Sequence, residues 1–430
     1  MALTYSRRLA AVLSASLCLV LSTGFSAVAQ PDAPCQFKTA PPKPVDTSEN
    51  PKPGQPSQAP LPVPAKPAGG PKMASCGVIA PPDVPAPPKD VTTESWVIAD
   101  LDSGQVLGAK DPHARQRPAS LIKVLLSLVV LDELSTKMDT VVTGTAEDAA
   151  QDGTRVGIGP GGQYTVRQLF YTLLMRSGND CAHALAMQMG GVEQTVAKMN
   201  AKAKSLDALD TQTATPSGLD GPGMMTSAFD LAVFFREAMK HPDFAKAVST
   251  KQIDMPGYGD KPGFKVNNDN GLLGKYQGFL GGKTGFTDDA RHTYLGGAEQ
   301  GGHRLEVVLM RGEQSPVRMS DQGGHLFTWG FGLYKGKIDP VGQLTTVKPP
   351  ETSSAAPAGN GSSSAEHTTT AAGHPDNNKG TLPTVAMSVS AVALLGFLIW
   401  RIRRRYAQPP AAAPPEPGDE ELTVRIPRIR

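Results

Sequence analysis

Short apolar runs broken by Ser-Gly and Gly-Gly pairs lie toward both ends of the central part of this chain, and longer apolar stretches fill its middle. Residues 96–102 and 105–111 read as two strands joined at Ser103-Gly104, a hairpin signal. Residues 294–298 and 304–310 read as two more, joined through Gly301-Gly302, and a further strand is expected over 283–286. Between these runs the pattern turns helical. Residues 121–134 are apolar almost throughout, which predicts a buried helix at the centre of the fold. Thr165 caps a second helix whose apolar face is Val166, Leu169, Phe170, Leu173 and Leu174, ending near Arg176. Ser227, with Asp230 three residues on, starts a third, and residues 317–334 supply a terminal helix that covers the sheet. The expected fold class is α/β: a mostly antiparallel sheet built from both ends of one catalytic unit, with a helical subdomain between.

Outside that unit the composition changes. Arg7 and Arg8 precede an apolar run to Phe25 and an Ala27-Val28-Ala29 site, so residues 1–29 read as a signal peptide. Residues 30–92 are dominated by proline and read as an extended spacer rather than a domain, although the pattern does not say whether it packs on the domain. The globular part is expected over 93–345, about 250 residues, enough for one large domain. Residues 346–379, rich in Ser, Ala, Thr and Gly, read as a flexible linker. Residues 380–400 carry no charge and are followed by Arg401, Arg403, Arg404 and Arg405, the pattern of a single membrane span with residues 401–430 as a cytoplasmic tail. The expectation is a membrane-anchored protein whose catalytic domain faces outward.

The formal net charge of +2 is nearly neutral, its basic excess lying partly in the tail, and no basic stripe suggests nucleic acid. The eight histidines include no metal-ligand pair of the His-x-x-x-His kind, so no metal or other cofactor is expected. Of the four cysteines, cleavage after Ala29 leaves Cys35, Cys76 and Cys181. Cys35 and Cys76 bracket the proline-rich segment, and a disulfide between them would restrain it. Cys181 reads as a small buried residue on a helix.

The chemistry lies in three motifs: Ser120-Leu121-Ile122-Lys123, then Ser177-Gly178-Asn179, then Lys283-Thr284-Gly285. A Ser-x-x-Lys tetrapeptide is expected about once by chance in a chain this long, but the three in this order and spacing are far rarer. Ser120 stands at the start of the buried helix, where free N–H groups and the helix dipole favour negative charge. Lys123 lies one turn later on the same face and serves as base if it is neutral. Burial and the like charge of Lys283 both lower its pKa. Gly178 is expected to permit the turn of the second motif, and Gly285 to let the substrate backbone approach the strand.

With Arg117-Pro118-Ala119 before the first motif, Asn179-Asp180 closing the second, Thr215-Pro216-Ser217-Gly218-Leu219-Asp220, and Gly281-Gly282 and Thr287-Asp288-Asp289-Ala290 around the third, the chain resembles the low-molecular-mass penicillin-binding proteins. These are D-alanyl-D-alanine carboxypeptidases, and the likeness, from residue 93 to 334, is greatest to the membrane-anchored mycobacterial kind. The resemblance implies the penicillin-binding-protein and β-lactamase fold, a peptidoglycan stem peptide as substrate, and β-lactams as inhibitors. It implies that Ser120 is acylated, that Ser177 passes the proton to the departing amine, and that Asn179 hydrogen-bonds Lys123 and the substrate. Lys283 and Thr284 would hold the substrate's terminal carboxylate, with Arg311 as a further contact. The backbone N–H groups of Ser120 and Phe286 would form the oxyanion hole. Three rivals stand beside this reading. A class A-like β-lactamase needs another carboxylate, and Glu193 and Glu237, in the right interval, read as surface groups. A D,D-transpeptidase differs only in its acceptor. A catalytically silent wall-binding protein is disfavoured by the intact motifs. Protein partners in wall synthesis are not indicated.

Overall fold

The computed structural model describes residues 35–54, 56–336 and 338–344. The expected signal peptide, the linker, the membrane span at 380–400 and the tail lie outside the described residues. Among the described residues no helix is long and apolar enough to cross a membrane.

A 3-10 turn (Pro71–Ala74) and strand β1 (Val78–Ile79) precede the hairpin β2 (Ser95–Asp100) and β3 (Gln105–Lys110). A second 3-10 turn (Ala119–Ile122) runs into α1 (Lys123–Leu134). A small ribbon of β4 (Val141–Thr143) and β5 (Gln163–Thr165) flanks α2 (Ala146–Ala149), and α3 (Val166–Met175), α4 (Asn179–Gln188), α5 (Val192–Ser205), α6 (Ala228–Ala238) and α7 (Pro242–Ser249) follow. A second ribbon, β6 (Gln252–Met255) with β7 (Phe264–Asn267), leads to β8 (Phe279–Thr287), β9 (Arg291–Gln300) and β10 (His303–Gly312). The chain closes with α8 (Met319–Leu333) and β11 (Gly342–Gln343). The main sheet runs β1-β3-β2-β10-β9-β8, with β11 beside β3, and every pairing is antiparallel. The expected joining of both ends of the domain is the β2–β10 contact, with Val97 opposite Val308.

Alternation along the strands sorts the core into two layers. Val97, Ala99, Val308 and Met310 belong to the cluster that contains α1 and α6, whereas Trp96, Ile98, Val307 and Leu309 pack with Phe327 and Trp329 of α8. Helices on both faces explain why these strands read as continuous apolar runs. The local signals behave as their chemistry dictates. Thr165 and Gln168 form a reciprocal capping box at α3. At α6 only half of one forms: Ser227 accepts the Asp230 N–H, but the Asp230 carboxylate turns away to the Asp210 N–H and the Thr211 hydroxyl.

The sequence leaves open whether the proline-rich segment packs on the domain. In the structure it lies against the domain and forms a strap closed by the Cys35–Cys76 disulfide. Met73 is buried in the core. Arg115, with no exposed surface, donates to the carbonyls of Thr39, Leu61 and Pro62. Proline removes backbone donors but leaves carbonyls, and buried guanidinium groups take them up.

Candidate active site

Three elements meet at a cleft of about 570 Å³. The turn before α1 brings Ser120, the α3–α4 loop brings Ser177, and β8 brings Thr284, Gly285 and Phe286.

Backbone packing holds Ser120 in place. The preceding Ala119 takes φ +48°, a left-handed conformation that costs a residue with a Cβ about 1–2 kcal/mol. Two glycines press against it. A Cβ on Gly218 would lie 2.0 Å from the Ala119 carbonyl oxygen, and one on Gly285 would lie 2.9 Å from the Ser120 nitrogen. The space that the sequence assigned to a substrate beside Gly285 is therefore taken, on this side of the strand, by the Ser120 turn itself.

Lys123 is fully buried, and its Nζ lies 2.8 Å from Ser120 Oγ and 2.8 Å from Asn179 Oδ1, with the Ser217 carbonyl as a third partner. Burial first, and the charge of Lys283 second, push the amine well below the ordinary lysine value, as the sequence led one to expect. A neutral amine has two N–H groups and one lone pair. Asn179 Oδ1 and the Ser217 carbonyl can only accept, so they take the two N–H groups and the lone pair is left facing the Ser120 hydroxyl. Asn179 is kept in this orientation by its own Nδ2, which donates to the Asp152 carbonyl at 2.6 Å. Ser217 is a member that sequence reasoning missed. Its segment was recognisable by resemblance, but a backbone carbonyl has no side-chain signature.

In the second motif the strain falls on an unexpected residue. Ser177 adopts φ +65°, whereas Gly178 sits at φ −59°, open to any residue. Gly178 is small for packing: a Cβ there would come within 2.6 Å of Val156 and 2.7 Å of the Asp180 carboxylate. That carboxylate accepts the N–H groups of Val156, Gly157 and Ile158 at 3.0, 2.7 and 3.2 Å, pinning the loop against the start of α4. The Ser177 hydroxyl is buried and has no hydrogen-bond partner among the described residues, so it is uncommitted at the cleft. Cys181 is a buried thiol bonded to Thr172, its pKa held up mainly by burial.

Lys283 is buried in β8 and donates to the Thr284 carbonyl at 2.6 Å. Burial lowers its pKa to about 8 against the opposing pull of Asp269. The Lys283 charge lowers the Lys123 pKa, whereas Lys283 itself is shifted by burial and Asp269. The Thr284 hydroxyl donates to Asp269 at 3.2 Å, and Asp269 is the one carboxylate lining the cleft among the described residues. Phe286 is half exposed and packs at a tilt against His292, ring centroids 4.5 Å apart.

Arg311 requires correction. Its guanidinium donates to the Asp289 carbonyl at 2.6 Å and lies 3.8 Å from Glu94, away from the cleft lining, because the residue turns at φ +53° where β10 bulges. Arg318, just ahead of α8, lines the cleft instead, with no ion pair among the described residues. Glu193 is exposed on α5 and Glu237 pairs with Lys240 on α6, so neither reaches the site.

The family model described as D-alanyl-D-alanine carboxypeptidase matches residues 82–314. Over 255 residues the chain is 46% identical to D-alanyl-D-alanine carboxypeptidase DacB2 of Mycobacterium tuberculosis, covering 58% of this chain and 85% of that protein. It is 30% identical to DacF of Bacillus subtilis, a match that spans 56% of this chain and 63% of that relative. Among solved structures, a D-alanyl-D-alanine carboxypeptidase from M. tuberculosis superposes with TM-score 0.58 at 43% identity, covering 62% of this chain and all of that one. The Streptomyces K15 DD-transpeptidase superposes with TM-score 0.55 at 26% identity, covering 58% of this chain and all of its own. These penicillin-binding-protein neighbours share the expected α/β fold.

Proposed function

The chain belongs to the D-alanyl-D-alanine carboxypeptidase family, and from that membership we propose that it removes the terminal D-alanine of peptidoglycan stem peptides through an acyl-enzyme on Ser120. The reading rests on one observation above all: a buried amine, Lys123, whose only remaining valence faces the Ser120 hydroxyl. Ser120 Oγ attacks the carbonyl of the penultimate residue while Lys123 takes its proton. The new C–O bond forms, the amide C–N bond breaks, and the proton passes by way of the Ser177 hydroxyl to the departing D-alanine nitrogen. Water then cleaves the ester. The backbone N–H groups of Ser120 and Phe286 are assigned to the oxyanion, and donors of this type are each worth about 3 kcal/mol of barrier. Lys283, Thr284 and Arg318, which has no ion pair among the described residues, supply positive charge and a hydroxyl for the terminal carboxylate. A β-lactam carbonyl meets the same attack.

D-Alanine release from a synthetic stem peptide ending in D-Ala-D-Ala is the direct assay, and its pH profile is expected to be bell-shaped. Activity rises with pH as Lys123 loses its proton, and falls above about pH 8 as Lys283 loses the charge that holds the carboxylate. A rate that still climbs through pH 9 would remove Lys283 from carboxylate binding. The likeness to a transpeptidase over 58% of this chain supports a second reading, in which an amine replaces water; adding an amine acceptor to the assay distinguishes them by the cross-linked product. The uncharged run at 380–400 and the arginines after it support membrane anchoring with the catalytic domain outside. A chain ending at residue 345 is expected to leave the membrane fraction, and retention there would count against the anchor.

A further inference from the structure

The strap lies before residue 82, where the family match begins. Its contacts nonetheless converge on the segment that carries Ser120. The Arg115 N–H donates to the Phe37 carbonyl at 2.8 Å. Arg117, 2% exposed, forms a two-pronged ion pair with Glu49 and donates to the Pro42 carbonyl at 2.7 Å. Glu49 and Pro42 both belong to the strap. A few residues from them, the Val45 N–H donates to the carboxylate of Asp289 at 2.5 Å, and Asp289 follows the third motif by four residues. The Asp289 carboxylate in turn lies 3.9 Å from the Arg117 guanidinium. One cluster around the buried Arg117 and Asp289 thus joins the strap, the segment before Ser120 and the segment after Lys283-Thr284-Gly285.

The connection from Arg117 to Ser120 is short and stiff. Pro118 has a ring-fixed φ and Ala119 is left-handed, so the two residues between them have little freedom to absorb a displacement. On the cleft side the turn is held by Gly218, Gly285 and the Thr293 hydroxyl, which donates to the Pro118 carbonyl at 3.2 Å. On the opposite side it is held through Arg117. Without the Glu49 carboxylate the Arg117 guanidinium keeps only the Asp289 carboxylate, 3.9 Å away, and must turn toward it or toward water, and moving to do so would swing the Ser120 turn. We propose that Glu49 is a positioning residue for Ser120, acting through Arg117, and that the disulfide-closed strap is thereby part of the catalytic apparatus. The inference rests on the acyl-serine reading above.

The test uses the full chain and two variants, Glu49→Gln and Glu49→Asp, with the rate of Ser120 acylation by penicillin, kcat and KM for D-alanine release, and the melting temperature measured for each. Glu49→Gln keeps shape and loses charge. It is expected to slow acylation and lower kcat by about ten- to hundredfold, as small displacements of reacting groups do, with KM and melting temperature changed far less. Glu49→Asp restores the charge and is expected to recover part of the rate. Wild-type acylation and kcat in Glu49→Gln overturn the inference alone, as does a rate loss that only tracks a fall in melting temperature and that Glu49→Asp does not relieve. A wild-type chain that penicillin fails to label on Ser120 overturns the acyl-serine reading first, and this inference with it.

Discussion

Ser120→Ala is expected to reduce D-alanine release by about 10⁴-fold or more, the scale of losing a catalytic nucleophile, and to abolish the mass shift produced by penicillin. The substitution removes one oxygen and little else. Ala119 keeps its left-handed turn because Gly218 and Gly285 still press on it. Lys123 keeps the Asn179 and Ser217 partners that take its two N–H groups. The folded state should therefore survive with a melting temperature close to wild type, which separates lost chemistry from lost structure. Intact-mass spectrometry with and without penicillin, beside the release assay, is the measurement. A persisting mass shift in the variant would move the nucleophile elsewhere.

Lys123→Met is the second large effect. Methionine nearly matches the length and volume of lysine, so the substitution removes the base without opening a cavity. Acylation is expected to fall by about 10²–10⁴-fold, the range for a general base. Two carbonyl acceptors, Asn179 Oδ1 and Ser217 O, lose their donor, at about 1–3 kcal/mol each, partly offset because no amine has to be buried. The pH profile carries the sharper prediction. The rise that reports deprotonation of Lys123 should vanish from the residual activity, while the fall above about pH 8 set by Lys283 should remain, because burial and Asp269, not Lys123, set the Lys283 pKa. If the variant acylates at the wild-type rate, the lone-pair argument for Lys123 is wrong.

Much of this site could be read from the chain because its logic is local. Ser120 and Lys123 are one turn apart at the start of a helix whose apolar run is unmistakable, and burial of that helix is the largest cause of the depressed lysine pKa. Thr165 and Gln168 close their capping box within four residues, and the strand pairs follow from short apolar runs joined at Ser103-Gly104 and Gly301-Gly302. The third motif fell on a strand beside the first because Gly285 permits that approach.

Contacts between distant segments were decided by the tertiary structure, and they share a physical reason. The carbonyls of Ser217, Asp152, Leu61 and Pro62 serve Asn179, Lys123 and Arg115, but a backbone carbonyl is the same group in every residue and leaves no mark in the sequence. Whether Arg311 or Arg318 faces the cleft depends on the bulge at the end of β10 and on where α8 begins. The freedom assigned to Gly178 belongs to Ser177, because Val156 and Asp180 fill the space where a side chain at 178 would go. Proline content described the strap as an extended spacer, but it could not disclose that the buried Arg115 and Arg117, on the segment leading to Ser120, take up the strap's carbonyls and Glu49. Local propensity and periodicity determined the elements and the order of the motifs. Which buried charge meets which distant partner was set only when the chain closed on itself, since an unpaired ion in the interior is too costly to leave and its partner can come from anywhere in the sequence.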